Sequence, residues 1–247
     1  MVTQSRAQPI PLLLTRPEAQ GADFAERLTA RFGDAVATIH TPLLAPQFFA
    51  PELPEGPFQA VILTSQTGVA GYVKLGRSDA LPKDAFCVGE RTAMAARNAG
   101  LRTLAVSPDA ASLILQIISK RPSGTLLHLR GRETRGNIET LLKTAGIDTV
   151  EAVIYAQNPL PLSALATEAL QGDFPILVPL FSPRSAALFV MELARFQRVS
   201  PLLIAAISSE TILELNSLVA QIKLANRPDA NAMIDVIDVF LADLKRA

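Results

Sequence analysis

Residues 60–74 read AVILTSQTGVAGYVK. Ala60–Thr64 predicts a strand that is apolar on both faces, as strands buried inside parallel sheets are. Thr64 and Ser65 break the run with hydroxyls, and Gln66–Lys74 predicts a helix. A strand that turns through a hydroxyl corner into a helix is half of a βαβ unit. Right-handed crossovers of that kind build parallel sheets.

The same alternation spreads in both directions. Downstream, the predicted strand–helix pairs are Ala85–Val88 with Glu90–Ala99, Thr103–Val106 with Ala110–Ser119, and Thr125–Leu129 with Asn137–Ala145. Gly100 and Gly146 stop two of these helices. Val150–Tyr155 follows as a strand. Upstream, strand Leu12–Thr15, helix Gly21–Arg31 (stopped at Gly33) and strand Val36–His40 form a shorter block. The far end predicts helix Ser163–Gln171, strand Ile176–Leu180, helix Arg184–Phe196 and strand Leu202–Ile207. Helix Thr211–Val219, short strand Gln221–Leu224 and helix Ala230–Lys245 complete it.

Two proline clusters interrupt the pattern. Pro42, Pro46, Pro51, Pro54 and Pro57 crowd one segment, and Asn158-Pro159-Leu160-Pro161 forms the other. Proline lacks an amide donor and resists helix and central strand alike, so both segments predict connectors. They bracket a block of ordinary domain size. The expected organisation is an inserted α/β domain over 42–158 and a discontinuous α/β domain made of 1–41 plus 159–247. The N-terminal strand–helix–strand is too small to stand alone and is expected to complete the C-terminal block.

Composition excludes several classes. Of 247 residues, 49% are apolar and 19% charged, a globular balance rather than a disordered one. Twenty-three basic residues match 23 acidic ones, so the formal net charge is zero and a broad nucleic-acid surface is not expected. Cys87 is the only cysteine and His40 and His128 the only histidines, which leaves no disulfide framework and no multi-histidine metal centre. The first fifteen residues are too short and too broken by Pro9 and Pro11 for a signal peptide. No stretch approaches the ~20 apolar residues of a membrane span. The chain is expected to be soluble and cytoplasmic, with no membrane association.

In open parallel sheets, ligands bind beyond the carboxyl ends of the strands, near helix N-termini. Four strand-to-helix corners share small and hydroxyl residues: Thr64-Ser65-Gln66-Thr67-Gly68, Val88-Gly89-Glu90-Arg91-Thr92, Phe181-Ser182-Pro183-Arg184-Ser185 and Ile207-Ser208-Ser209-Glu210-Thr211. Each has two readings. Its hydroxyl can be an ordinary helix cap, or its free amides can hold an anion. A fifth corner, Leu129-Arg130-Gly131-Arg132-Glu133-Thr134-Arg135, carries three arginines that can grip carboxylates or simply pair with Glu133 and Glu139 at a solvated helix start. Tyr155 stands just before the second proline cluster. It can donate a proton there, or it can be an aromatic packed at a hinge. His128 and Cys87 lie within apolar strands and read as buried. No GxGxxG, P-loop, HExxH or nucleophile elbow occurs.

In order along the chain, LLTRP (Leu13–Pro17), VILTSQTGV (Val61–Val69), VGERTA (Val88–Ala93), LLHLRGRETR (Leu126–Arg135), GIDTVEAVIYAQ (Gly146–Gln157), LFSPRS (Leu180–Ser185) and IAAISSET (Ile204–Thr211) resemble the uroporphyrinogen-III synthases, nearly end to end. The resemblance implies two α/β domains, flavodoxin-like or Rossmann-like, joined by a two-stranded connector, with the active site in the cleft between them. It implies a cofactor-independent lyase that takes hydroxymethylbilane through an azafulvene and a spiro intermediate to uroporphyrinogen III, inverting ring D. By the same resemblance Tyr155 matches the family's acid. Thr64, Ser65, Ser182 and Thr211 match its polar cleft positions. Gly89, Arg91, Arg130, Gly131, Arg135 and Arg184, at the same corners, complete the expected substrate-binding set. Gln66 stands where the family often has proline, and Ser208-Ser209 where it usually has glycine. A monomer is expected, in transient contact with hydroxymethylbilane synthase, which makes the substrate. The competing reading is a non-catalytic small-anion sensor or regulatory module of the same fold.

Overall fold

The structure is a computed structural model and describes residues 8–76, 81–133 and 136–246. The chain opens with β1 (Ile10–Leu14), α1 (Glu18–Phe32), β2 (Val36–His40) and β3 (Leu44–Phe48). It continues through β4 (Ala60–Leu63), α2 (Gln66–Lys74), β5 (Asp84–Val88), α3 (Glu90–Asn98), β6 (Arg102–Ser107), α4 (Ala110–Lys120), β7 (Leu126–Gly131), α5 (Ile138–Thr144) and β8 (Thr149–Pro159). The last part is α6 (Ala164–Leu170), β9 (Ile176–Leu180), α7 (Pro183–Leu193), β10 (Leu202–Ala206), α8 (Ser209–Leu213), β11 (Ala220–Leu224) and α9 (Ala230–Leu244). Two compact units result. One holds the residues up to Ala45 together with those from Pro159 onward; the other is Pro46–Asn158.

The first unit is built on a sheet of order β11-β10-β9-β1-β2, parallel at every pairing. The central strands β9 and β10 are buried throughout, which is why their sequences ILVPL and LLIAA carry no polar residue. Alternation along β1 divides the core. Leu12 and Leu14 meet Phe24, Met233, Ile237 and Phe240 from α1 and α9, whereas Leu13 joins Leu170, Ala186 and Phe189 from α6 and α7 on the other face. The strand order reverses between β1 and β9. Both strands carry a proline, Pro11 and Pro179, which has no hydrogen to give a ladder, and their registered pairing is the single pair Leu12↔Leu177.

The second unit has the order β3-β8-β7-β4-β5-β6, with β4 to β8 parallel. Val61, Leu63, Leu127 and Leu129 face α2 and α3. Ala60, Ile62, Leu126 and Phe86 face α4 and α5. Here the order reverses between β4 and β7, so the corners after those two strands diverge and leave room above the sheet.

The fold is the expected α/β class, with local differences: α1 starts three residues earlier than expected, α7 ends three residues sooner, and three others are larger or alter the pairing. The first proline segment contains β3, with Pro46 inside it. An edge strand tolerates a missing donor, and β3 lies at the sheet edge. Strand β8 runs on past Tyr155 to Pro159, with Asn158 held to Gln47 of β3 at 2.7 Å. Helix α8 stops at Leu213 rather than Val219. Beyond it the chain tightens into turns, Leu215 N–H bonding Ile212 O and Leu218 N–H bonding Leu215 O. Asn216 and Ser217 lie in that stretch, residues whose side chains compete with helical backbone bonds. Among the described residues, no helix is long and apolar enough to cross a membrane.

Candidate active site

In the second unit, the β4 corner meets Tyr155. Ser65 sits in extended conformation before α2, and its Oγ accepts the amide hydrogen of Gly68 at 3.0 Å. The Tyr155 hydroxyl lies 3.0 Å from the same Oγ. A serine hydroxyl that already accepts one bond still has a hydrogen and a lone pair. Ser65 can therefore donate to Tyr155, leaving the phenol hydrogen free to go elsewhere, or accept from it. Thr64, half-buried, precedes this pair at the end of β4.

Gly131, the last residue of β7, forms the floor under the ring. A Cβ at Gly131 would stand 2.7 Å from Tyr155 Cε2, 2.8 Å from Cζ and 3.0 Å from the hydroxyl oxygen. Only glycine lets the ring lie this close to the backbone. The next amide, Arg132 N–H, donates to Tyr155 O at 2.8 Å. Phe48 of β3 tilts toward the phenol ring with centroids 6.3 Å apart, and Arg132 lies over Phe49 at 5.1 Å.

Behind this corner is a charged triplet. Glu151 of β8 bonds His128 Nδ1 at 2.9 Å through one oxygen and Arg130 Nε at 2.5 Å through the other. The hydrogen bond from His128, then that from Arg130, hold the Glu151 carboxyl below its ordinary value against the opposing effect of burial. Arg130 also donates to Gly131 O at 3.0 Å.

The other expected residues are placed as follows. Gly89 takes a positive φ of 79° at the start of α3, a conformation suited to glycine, and its amide is engaged by Ser107 O at 2.7 Å. Arg91 is exposed in the first turn of α3. In the first unit, Ser182 caps α7, its Oγ accepting Ser185 N–H at 3.1 Å and lying 2.8 Å from Ser185 Oγ. Arg184 is half-buried in the first turn of α7. Thr211 is fully buried, with its hydroxyl 3.3 Å from Ser208 Oγ. Arg135 lies outside the described residues. Thus the structure brings Thr64, Ser65, Gly131 and Tyr155 together where the carboxyl ends of β4 and β7 meet the middle of β8, with the Arg130 side chain on the opposite face of the sheet. Gly89 and Arg91 stand at the neighbouring β5 corner, and Ser182, Arg184 and Thr211 at the β9 and β10 corners of the other unit.

Sequence reasoning missed Glu151, Phe48 and Arg16. Glu151 was visible only as a lone acid within an apolar strand. Phe48 lay in a segment read as strandless. Arg16, at the end of β1, stacks on Phe181 at 4.0 Å across the reversal between β1 and β9. Its signal was the polar break Thr15-Arg16-Pro17 directly after a buried strand. Among the described residues no cluster of His, Cys, Asp and Glu has a metal-binding arrangement.

The family model for uroporphyrinogen-III synthase HemD matches residues 23–235. Among solved structures, the chain is similar to a uroporphyrinogen-III synthetase from Helicobacter pylori, with a TM-score of 0.65 and 19% identity, covering 94% of this chain and 99% of that one. At that identity the likeness establishes the fold. A mutant uroporphyrinogen III synthase from the extremely thermophilic bacterium Thermus thermophilus aligns at TM-score 0.46 and 15% identity, over 96% of this chain and 100% of that one. The wild-type protein from the same source aligns at TM-score 0.38 and 16% identity, over 96% and 98%. Overlays that loose add nothing to the fold argument. No curated protein sequence matches the chain. The family match spans most of the sequence, and the chain belongs to the uroporphyrinogen-III synthase family.

Proposed function

We propose that this protein closes hydroxymethylbilane to uroporphyrinogen III, a dehydrating cyclisation of the lyase class in tetrapyrrole biosynthesis, with Tyr155 as the proton donor. The observation that carries the reading is the Tyr155 hydroxyl, 3.0 Å from Ser65 Oγ at the strand-order reversal of the second unit. Ser65 in turn accepts a hydrogen from the first turn of α2. That chain of bonds can stabilise the oxygen left behind when the phenol proton departs. The proton goes to the ring A hydroxyl; the carbon–oxygen bond breaks and water leaves, giving the azafulvene. Ring D then attacks through its substituted carbon. The spiro intermediate fragments and recloses with ring D inverted, and loss of a ring proton restores aromaticity.

The remaining task is orientation. The substrate bears acetate and propionate groups on every ring, and its uncatalysed closure gives the uninverted isomer. Holding the carboxylates so that the two ends meet turns a floppy chain into a near-attack geometry. We assign this grip to the strand-end corners of both units, with Thr64, Arg91, Ser182 and Arg184 as the contact side chains. We also take the protein to act as a cytoplasmic monomer that receives its labile substrate from the upstream synthase. The test is to incubate purified protein with fresh hydroxymethylbilane, oxidise, and separate the porphyrin isomers by chromatography. Type III product is expected. Type I alone would reject the enzymatic reading in favour of an anion sensor.

A further inference from the structure

The pairing of β7 with β8 contains a register shift. Arg130 pairs with Val153, but the next residue, Gly131, pairs with Tyr155, leaving Ile154 as an extra residue on β8. Alternation shows what the shift does. Val150, Ala152 and Ile154 pack on the face of α2 and α3, so an unshifted β8 would turn Glu151, Val153 and Tyr155 to the opposite face. Tyr155 nevertheless packs with Ile154 on the α2 face, where Ser65 is. A bulge is a device for re-aiming a side chain in this way. Without it the phenol would point away from the corner that partners it.

The bulge is pinned from the far face. His128 and Arg130 alternate on β7 with Leu127 and Leu129, and both reach Glu151. Arg130 makes a second bond, to the carbonyl of Gly131 at the shift itself. The guanidinium thus ties the β7 peptide that faces the bulge to Glu151, in the last regular part of β8. Side-chain exposures of 22% for Arg130 and 18% for Glu151 make this a sheltered pair rather than a surface one.

We propose that Arg130 and Glu151 are positioning residues: they lock the bulge that turns Tyr155 onto the α2 face, and Arg130 acts through that lock rather than as a ligand for the substrate carboxylates. The kinetic part of this inference rests on the proton-donor reading of Tyr155; the structural part does not.

The protein contains two tyrosines and no tryptophan, so the position of Tyr155 can be read directly. Full-length protein carrying ring-ζ ¹³C tyrosine gives two resonances, assigned with Tyr155→Phe. Tyr72, bonded to Pro82 O, is the internal reference. In Arg130→Met, Arg130→Lys and Glu151→Gln, the Tyr155 resonance should shift or broaden while that of Tyr72 stays. Turnover should fall about tenfold or more with KM nearly unchanged, since a displacement of ~1 Å alone can cost ~100-fold. Lysine keeps the charge but lacks the rigid fork whose two separate nitrogens reach Glu151 and Gly131 O, so Arg130→Lys should behave like Arg130→Met. An unmoved Tyr155 resonance in all three variants would overturn the proposal. So would a rise in KM at constant kcat that lysine rescues, the signature of a substrate ligand. Should Tyr155→Phe retain full activity, the proton-donor reading fails, while the resonance still decides whether the lock exists.

Discussion

Alanine at position 131 would add a single carbon where the Tyr155 ring now rests. The new Cβ would meet that ring at 2.7, 2.8 and 3.0 Å. Carbon atoms in contact prefer ~3.5–4.0 Å, so the ring must retreat by nearly 1 Å. Gly131 is not among the glycines with positive φ, so its backbone accepts alanine and the strain falls on the ring. The ring is the mobile end of a side chain and can move without unfolding the sheet. Its hydroxyl now lies 3.0 Å from Ser65, close to the limit of a good O–H···O bond, so the retreat breaks that bond. The stability cost is about 1 kcal/mol for the bond, partly offset by the ~0.4–1 kcal/mol that Gly→Ala gains in the unfolded chain. The melting temperature should drop by no more than ~4 °C. Turnover should fall about 100-fold, because the proton donor is misplaced. Thermal denaturation and isomer-resolved turnover, measured on the same preparation, test this pairing of a small stability loss with a large activity loss. A variant with wild-type turnover would refute the claim that the ring must lie against Gly131.

Further outcomes follow from the same geometry. Ser65→Ala removes both the α2 cap and the partner of Tyr155; chemical denaturation should show a loss of ~1 kcal/mol and kinetics a drop of at least ~10-fold in turnover. Burial pushes the Cys87 thiol up to about 11, so a disulfide reagent at neutral pH should label it only after unfolding; rapid labelling of native protein would contradict its burial. The Glu151 carboxyl is held below its ordinary value by His128 and Arg130. Its contribution to stability is therefore present above its unfolded value of 4.5 and is lost as pH falls through the lower folded value. The stability gap between wild type and Glu151→Gln should thus be full at about pH 6 and shrink at about pH 3.5, and a gap independent of pH would count against that coupling.

Much of the fold is legible because buried strands announce themselves. β4, β9 and β10 are unbroken apolar runs, and Ser65, Ser182 and Asp229 mark helix starts with capping side chains. β3 was hidden because its proline masks an edge strand. Tyr155 and Ser65 are both visible in the sequence, but not their meeting, which depends on one inserted residue in a ladder between strands 23 positions apart. The role of Arg130 was hidden for the same reason. An arginine beside a glycine at a strand end suggests an anion grip, and only the register of β7 on β8 brings Glu151 alongside it. Thr211 shows the opposite limit: a hydroxyl at a helix start that proves fully buried behind Ser208.

The most direct test compares wild type with Tyr155→Phe in single turnovers on fresh hydroxymethylbilane, quenched over time and resolved into porphyrin isomers. The wild type should yield type III product before spontaneous closure competes. The variant should be slower by ~100- to 10,000-fold, the range expected for loss of a general acid, so that type I accumulates while the melting curve hardly moves. Equal rates and pure type III product from both proteins would contradict the assignment of the proton to Tyr155.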